Sequence, residues 1–357
     1  MTLLASRPEP DRAALASGRP LPPPLPALDP IERLPVLVLE PHSRCDCRCR
    51  MCDIWRDRTT RQIGVAEVAE WLPEWRRLAV RRVVLSGGEP LLHREVPAIG
   101  GLLRDAGIGV TLLSTGMTLA RHAAAVAAFA DDVIVSLDGP REVHDAIRRV
   151  PGAFDRLAAG VAALAAEAPA VAVSARTTVQ RANHAHLCAT VRAAREIGVG
   201  RLSFLAADVS SEAFNRPGGW DAERAGEVAL GEDDLRRLAA EIDRLEREHA
   251  DDLANGFVAE DAATLRRRLA GHFAAFLGRA EPAAPRCNAP WVSTVIEADG
   301  TVRPCFFQPP LGNVRAAGSL GAVLNAPASV AWRRGLDVER DAICRRCVCS
   351  LLLREEA

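Results

Sequence analysis

Short apolar runs recur along the chain at intervals that leave room for a helix between them. Val36–Leu39, Arg82–Leu85, Gly109–Leu113, Asp132–Leu137, Val171–Val179 and Leu202–Leu205 each have the length of a strand. Their apolar residues run together rather than alternate, the pattern of strands buried on both faces. Between them, Val65–Leu78, Leu91–Arg104 and Leu119–Phe129 carry apolar residues at helical spacing. Strand and helix alternating in this rhythm predict βα units around a parallel sheet. About six such units fit between residues 35 and 225, too few for a closed eight-unit barrel.

The flanking text differs. Residues 1–30 are rich in proline and have no apolar pattern, which predicts an extended, free tail. Ser210–Glu232 reads as a long loop, with Phe214 and Trp220 placed to cover the mouth of the sheet domain. Two amphipathic helices follow, Glu232–His249 and Ala259–Leu277. From Pro282 the chain turns to short strands, turns and cysteines, with Asp299-Gly300 as a hairpin signal between Val292–Glu297 and Thr301–Arg303. The expected organisation is a tail over 1–30, an α/β core over 31–230, a helical connector over 231–280 and a small cysteine-rich domain over 281–357.

Composition narrows the function. With 45 basic and 46 acidic residues the net charge is −1, which argues against a nucleic-acid or anionic-membrane binder. No apolar run approaches the ~20 residues of a membrane span, and no secretory signal opens the chain, so a cytoplasmic location is expected. In that setting the ten cysteines point to metal or redox chemistry rather than disulfides.

Cys45-x3-Cys49-x2-Cys52 follows the first strand directly, at the end of a parallel sheet where ligands bind. Thiolates select iron–sulfur, zinc or copper(I). Three ligands on a four-iron cube leave one iron open, whereas a structural zinc takes four. Cys47 is a possible fourth, but its spacing makes it a bystander. The second strand runs into Ser86-Gly87-Gly88-Glu89-Pro90. Two glycines let a ligand approach the backbone, and Glu89 can accept from an ammonium group. Taken alone, the segment would be an ordinary turn.

Together and in this order, these motifs resemble the radical S-adenosylmethionine (SAM) superfamily. The resemblance covers residues 35 to about 205 and implies a partial (β/α)6 TIM-like barrel. It implies that Cys45, Cys49 and Cys52 hold a [4Fe–4S] cluster whose open iron chelates SAM. SAM would then be cleaved reductively to a 5′-deoxyadenosyl radical that abstracts hydrogen from a substrate. Gly87, Gly88 and Glu89 match the motif that binds the methionyl amine. Ser114-Thr115-Gly116 is similar to the family's Thr-Asn-Gly-like turn but lacks the Asn. Ser136 and Asp138 match the strand that contacts the ribose, and Arg148 or Arg176 would hold the SAM carboxylate unless it serves a surface salt bridge.

The carboxy-terminal cysteines resemble the first half of a SPASM/twitch appendage. Five remain here, so the resemblance implies one auxiliary [4Fe–4S] cluster on Cys287, Cys305, Cys344 and Cys347, with Cys349 spare or a substitute. A zinc ribbon on the same thiols is the alternative. A fully ligated cluster would accept an electron from a substrate radical, whereas an open iron would bind substrate. Cys188, within a helix expected over Asn183–Ile197, reads as a buried thiol rather than a hydrogen donor. The expected substrate is a ribosomally made peptide, although no winged-helix leader-binding domain is legible at the amino terminus. A sugar or aminocyclitol alcohol oxidised by a small-molecule dehydrogenase is the second reading. A non-catalytic iron–sulfur or zinc scaffold is a third, of another class. A reducing partner such as flavodoxin or ferredoxin is implied, with no nucleic acid and no membrane.

Overall fold

A computed structural model of the chain describes residues 23–283 and 286–354. Six strands pair in parallel: β1 Val36–His42, β2 Arg82–Gly87, β3 Gly109–Ser114, β4 Asp132–Ser136, β5 Ala172–Val179 and β6 Arg201–Ala206. Helices α1 Val65–Arg77, α2 Val96–Asp105, α3 Leu119–Phe129, α4 Arg141–Arg148, α5 Ala153–Glu167 and α6 Leu187–Glu196 cross between them. Leu37 and Leu39 pack outward into the main core under these helices, while Val36, Val38 and Val84 pack inward with Val295. Both faces of the strands are thus apolar, which is why their runs do not alternate. This is the expected partial barrel.

Strand β6 does not close on β1; the edge of β1 is taken instead by β7 Ser293–Ile296, parallel and in register from Val36↔Ser293 to Leu39↔Ile296. A hairpin then adds β8 Thr301–Arg303, and β9 Gly312–Asn313 ends a sheet in the order β6-β5-β4-β3-β2-β1-β7-β8-β9. The hairpin, expected within the cysteine-rich region, also continues the barrel sheet, and so covers the row of backbone groups that an open β1 edge would leave unpaired.

Two expectations change. Residues 1–22 of the proline-rich segment lie outside the described residues, but 23–30 are tied down rather than free. The Leu25 N–H donates to the Leu353 carbonyl at 2.9 Å, and the Asn288 amide reaches the Leu25 carbonyl at 3.1 Å. Asp29 pairs with the fully buried Arg333 at 2.6 Å. In the long loop after β6, Ala222–Val228 forms a short helix, α7, capped by the Asp221 carboxylate accepting from the Arg224 N–H. About two turns carry too few residues to show periodicity. The connector contains α8 Glu232–Glu248, and later a π-turn at Arg266–Ala270 leading into Gly271–Phe276. Among the described residues no helix is long and apolar enough to cross a membrane.

Candidate active site

The strands end on one cavity of about 250 Å³. Glu40, Ser86, Gly87, Ser114, Ser136 and Arg176 line it from the carboxy-terminal ends of β1 to β5. Cys45, Cys49 and Cys52 line one side, and Phe306, Phe307, Val348 and Cys349 roof it from the cysteine-rich region. Phe214 from the long loop joins the roof, stacked on Phe306 with ring centroids 6.4 Å apart. Trp220 stays behind it, its indole N–H donating to Asp53 at 2.6 Å.

The cysteine loop is stapled on two sides. The Arg48 and Arg50 N–H groups donate to the Arg148 and Ile147 carbonyls at 3.0 and 3.1 Å, fixing it to the end of α4. The Gly88 and Glu89 N–H groups donate to the His42 and Arg44 carbonyls at 3.2 and 2.8 Å, fixing it to β2. A Cβ at Gly88 would fall 2.1 Å from the Arg44 carbonyl oxygen. This glycine therefore admits the close approach of the cysteine loop's own backbone while it also lines the cavity.

Glu89 lies behind the cavity wall, fully buried. Its carboxylate accepts from the Ser114 hydroxyl at 3.0 Å and from the Thr115 and Leu91 N–H groups at 2.6 and 3.0 Å. Burial, then the neighbouring Asp46, push its pKa up to about 7. The carboxylate thus orders the turn after β3, and the cavity surface is left to Gly87, Gly88, Ser114 and Thr115. Asp138 is likewise internal. Its carboxylate pairs with Arg148 at 2.6 Å and accepts from the Thr178 N–H at 3.1 Å, so Ser136 alone of the two faces the cavity.

Arg148 also donates to the Cys49 sulfur at 3.4 Å. Burial opposes its charge, but Asp138 and the cysteines outweigh that and hold its pKa above the ordinary value. In turn a hydrogen bond from Cys47 draws the Cys49 thiol down to about 7, with Arg148 assisting against burial. Cys47 is buried and bonded to Cys45 and Cys49, and it does not line the cavity. The Nε and Nη2 atoms of Arg176 are buried without a hydrogen-bond partner among the described residues. Burial pushes its pKa down, against the pull of Cys349 and Glu260.

The second cysteine group gathers where the chain ends return. Cys287 and Cys305 pack beside Leu351 and Trp291. Burial raises Cys305 to about 11 and Cys344 to about 12, with neighbouring thiols adding to both. Cys347 is raised well above its usual value by burial and then by Cys349, Cys305 and Cys287. Cys349 belongs to this group and also faces the cavity. Cys188 is fully buried under α8, away from both groups.

Sequence reasoning missed Glu40 and the two phenylalanines. The signal for Glu40 was present, since Val36, Val38 and Glu40 share the inward face at a period of two. Burial, then Glu297, push its carboxyl up to about 8.

Residues 39–203 match the radical SAM superfamily, and residues 287–348 match an iron–sulfur cluster-binding domain, SPASM. The chain carries a radical SAM domain joined to a SPASM domain. Radical SAM and SPASM domains hold [4Fe–4S] clusters, and the radical SAM domain binds SAM. The chain is 31% identical over 172 residues to the AdoMet-dependent heme synthase of Methanosarcina barkeri, covering 46% of this chain and 48% of that one. To the pre-heme d1 synthase of Dinoroseobacter shibae it is 29% identical over 196 residues, 54% of this chain and 48% of that one. The chain thus spans about half the length of the curated relatives it matches. In fold it resembles Streptococcus suis SuiB bound to S-adenosylmethionine, with a TM-score of 0.59 at 14% identity, covering 90% of this chain and 73% of that one. It also resembles anSMEcpe with bound AdoMet, at 0.60 and 19%, covering 82% and 78%.

The donor sets fit these cofactors. Both cysteine groups offer soft thiol donors, the ligand type of iron–sulfur clusters. Burial raises the pKa of Cys305, Cys344 and Cys347, so a cationic core is needed to hold them as thiolates.

Proposed function

We propose that this radical SAM enzyme modifies a ribosomally made peptide, removing hydrogen from it with the second cluster as electron acceptor. In this reading Cys45, Cys49 and Cys52 hold the SAM-binding cluster, and Cys287, Cys305, Cys344 and Cys347 hold the auxiliary one. When bound, the reduced first cluster and SAM supply a 5′-deoxyadenosyl radical that takes a hydrogen atom from substrate. Gly87, Gly88, Ser114 and Ser136 offer the surface for SAM, Arg176 is placed to take its carboxylate, and Arg148 orients the Cys49 sulfur. Phe214, Phe306 and Phe307 exclude water. The working division is a barrel over 31–230, a connector over 231–280 and an auxiliary domain from 281.

The observation that carries the reading is the shared wall of the cavity. The cysteine loop after β1 and the Phe306–Phe307 and Val348–Cys349 segments enclose one space. A substrate radical formed there lies beside the second thiol group. Solved structures of similar fold include SuiB with its precursor peptide SuiA and anSMEcpe with a peptide, which supports the peptide class. The curated relatives are named for haem and nucleotide chemistry, and they favour the second reading, a small-molecule dehydrogenase.

The deciding experiment supplies SAM, dithionite and the peptide encoded by a short reading frame beside the gene. A mass loss of about 2 Da, abolished by Cys305→Ser with Cys344→Ser while SAM cleavage persists, is the expected result. An unchanged peptide with active SAM cleavage contradicts the peptide reading.

A further inference from the structure

A second cleft, larger than the catalytic cavity, lies beside it. It has a volume of about 1260 Å³ and runs between the π-turn helix and the 345–350 segment. Six arginines line it: Arg267, Arg268, Arg279, Arg286, Arg345 and Arg346. The one carboxylate on its wall, Glu281, pairs with Arg345 at 2.8 Å, and Arg279 pairs with Glu232 at 2.6 Å. Among the described residues, Arg268, Arg286 and Arg346 have no side-chain partner, and Arg267 reaches only the Thr264 hydroxyl at 3.4 Å. In a chain of net charge −1 with 45 basic residues, that is a local excess of cations that the two acidic partners among the described residues only partly offset. Phe276, one of the two large apolar side chains exposed among the described residues, also lies on this wall.

The cleft adjoins the catalytic cavity. Val348 lines both spaces, with Cys347 on the cleft side and Cys349 on the cavity side. At the end of β6, Asp208 lines the cavity and its neighbours Val209 and Ser210 line the cleft. The inner space, at about 250 Å³, is smaller than a pocket for a whole drug-sized molecule. In the reading above SAM takes part of that space, so a peptide substrate inserts a side chain there and lays its flanking residues in the adjoining cleft. Guanidinium groups select carboxylates by paired, planar hydrogen bonds, and Phe276 adds an apolar contact.

We infer that this arginine cleft docks an acidic stretch of the peptide substrate, so that a residue next to that stretch enters the cavity past Val348. The inference rests on the peptide reading above and adds to it the charge of the recognised segment.

The test uses the cluster-loaded protein under anaerobic conditions and two labelled decapeptides, one of alternating Glu and Gly, the other of alternating Lys and Gly. Binding is read by fluorescence anisotropy across a salt series. The acidic peptide is expected to bind and the basic one not, with affinity falling as salt rises. Arg267→Glu with Arg268→Glu is expected to weaken acidic-peptide binding at least about tenfold. Arg340→Glu, at a position 89% exposed outside the cleft, is expected to leave it unchanged. Iron content and substrate-free SAM cleavage serve as folding controls and should match the parent in both variants. Equal binding of the two peptides, or unchanged affinity in the Arg267/Arg268 variant, overturns the inference. So does displacement of a bound peptide by the tricarboxylate citrate at equal concentration, which would make the cleft a small-anion site. Loss of SAM cleavage in the parent protein would instead defeat the enzymatic reading and leave the binding result to stand alone.

Discussion

Glu40 and Gly88 show how single positions in this site are set by neighbours far away in sequence. Glu40 faces the cavity from β1, and burial holds its carboxyl protonated up to about pH 8, with Glu297 adding to the effect. Its folded pKa lies above the unfolded value, so it contributes stability below about pH 4.5 that is lost as pH rises through 8. Glu40→Gln should therefore stabilise the protein by an amount that grows from pH 5.5 to 8 and then levels off. Thermal unfolding across that range would test it, and a constant difference would refute it. Gly88→Ala must push a Cβ against the Arg44 carbonyl, 2.1 Å away, and displace the cysteine loop. We expect about four irons fewer per chain, by colorimetric iron assay. At Gly101, with nothing within 4 Å on the surface of α2, Ala should stabilise the helix by about 0.5–1 kcal/mol instead. The cysteine spacing and the Gly-Gly-Glu-Pro run were legible because they are local. That Glu89 and Asp138 turn away from the cavity was not, because their partners Ser114, Thr115 and Thr178 come from other strands.

Among the elements, the six parallel strands were readable because burial on both faces removes polar residues from the strand interior. The pairing of β7 with β1 was not. A four-residue strand has no period to read, and its partner lies more than 250 residues earlier in the chain. The same separation hid the anchoring of residues 23–30, where the Asp29–Arg333 pair joins the amino-terminal segment to the helix Pro327–Gly335. Arg333 is fully buried, so removing its partner strands a charge. Asp29→Ala should cost about 3–5 kcal/mol in urea unfolding. Arg333→Met in the Asp29→Ala background should recover part of that loss. An unchanged midpoint in the single variant would show that the segment does not hold this region.

For the molecule as a whole, the barrel and the cysteine-rich region share one sheet and wall one cavity, which is the common space that the proposed radical generation and electron transfer require. The order of the motifs along the chain already implied two metal groups. Their convergence on one cavity, with Cys349 and two phenylalanines between them, depends on how the sheet continues past β1 and required the structure. The most direct measurement is anaerobic reconstitution with iron and sulfide, followed by iron counting and a 5′-deoxyadenosine assay with SAM and dithionite. The parent chain is set beside a Cys45→Ala, Cys49→Ala, Cys52→Ala variant. The account predicts about eight irons falling to about four, with deoxyadenosine abolished in the variant. Deoxyadenosine formation that survives the triple substitution would contradict it.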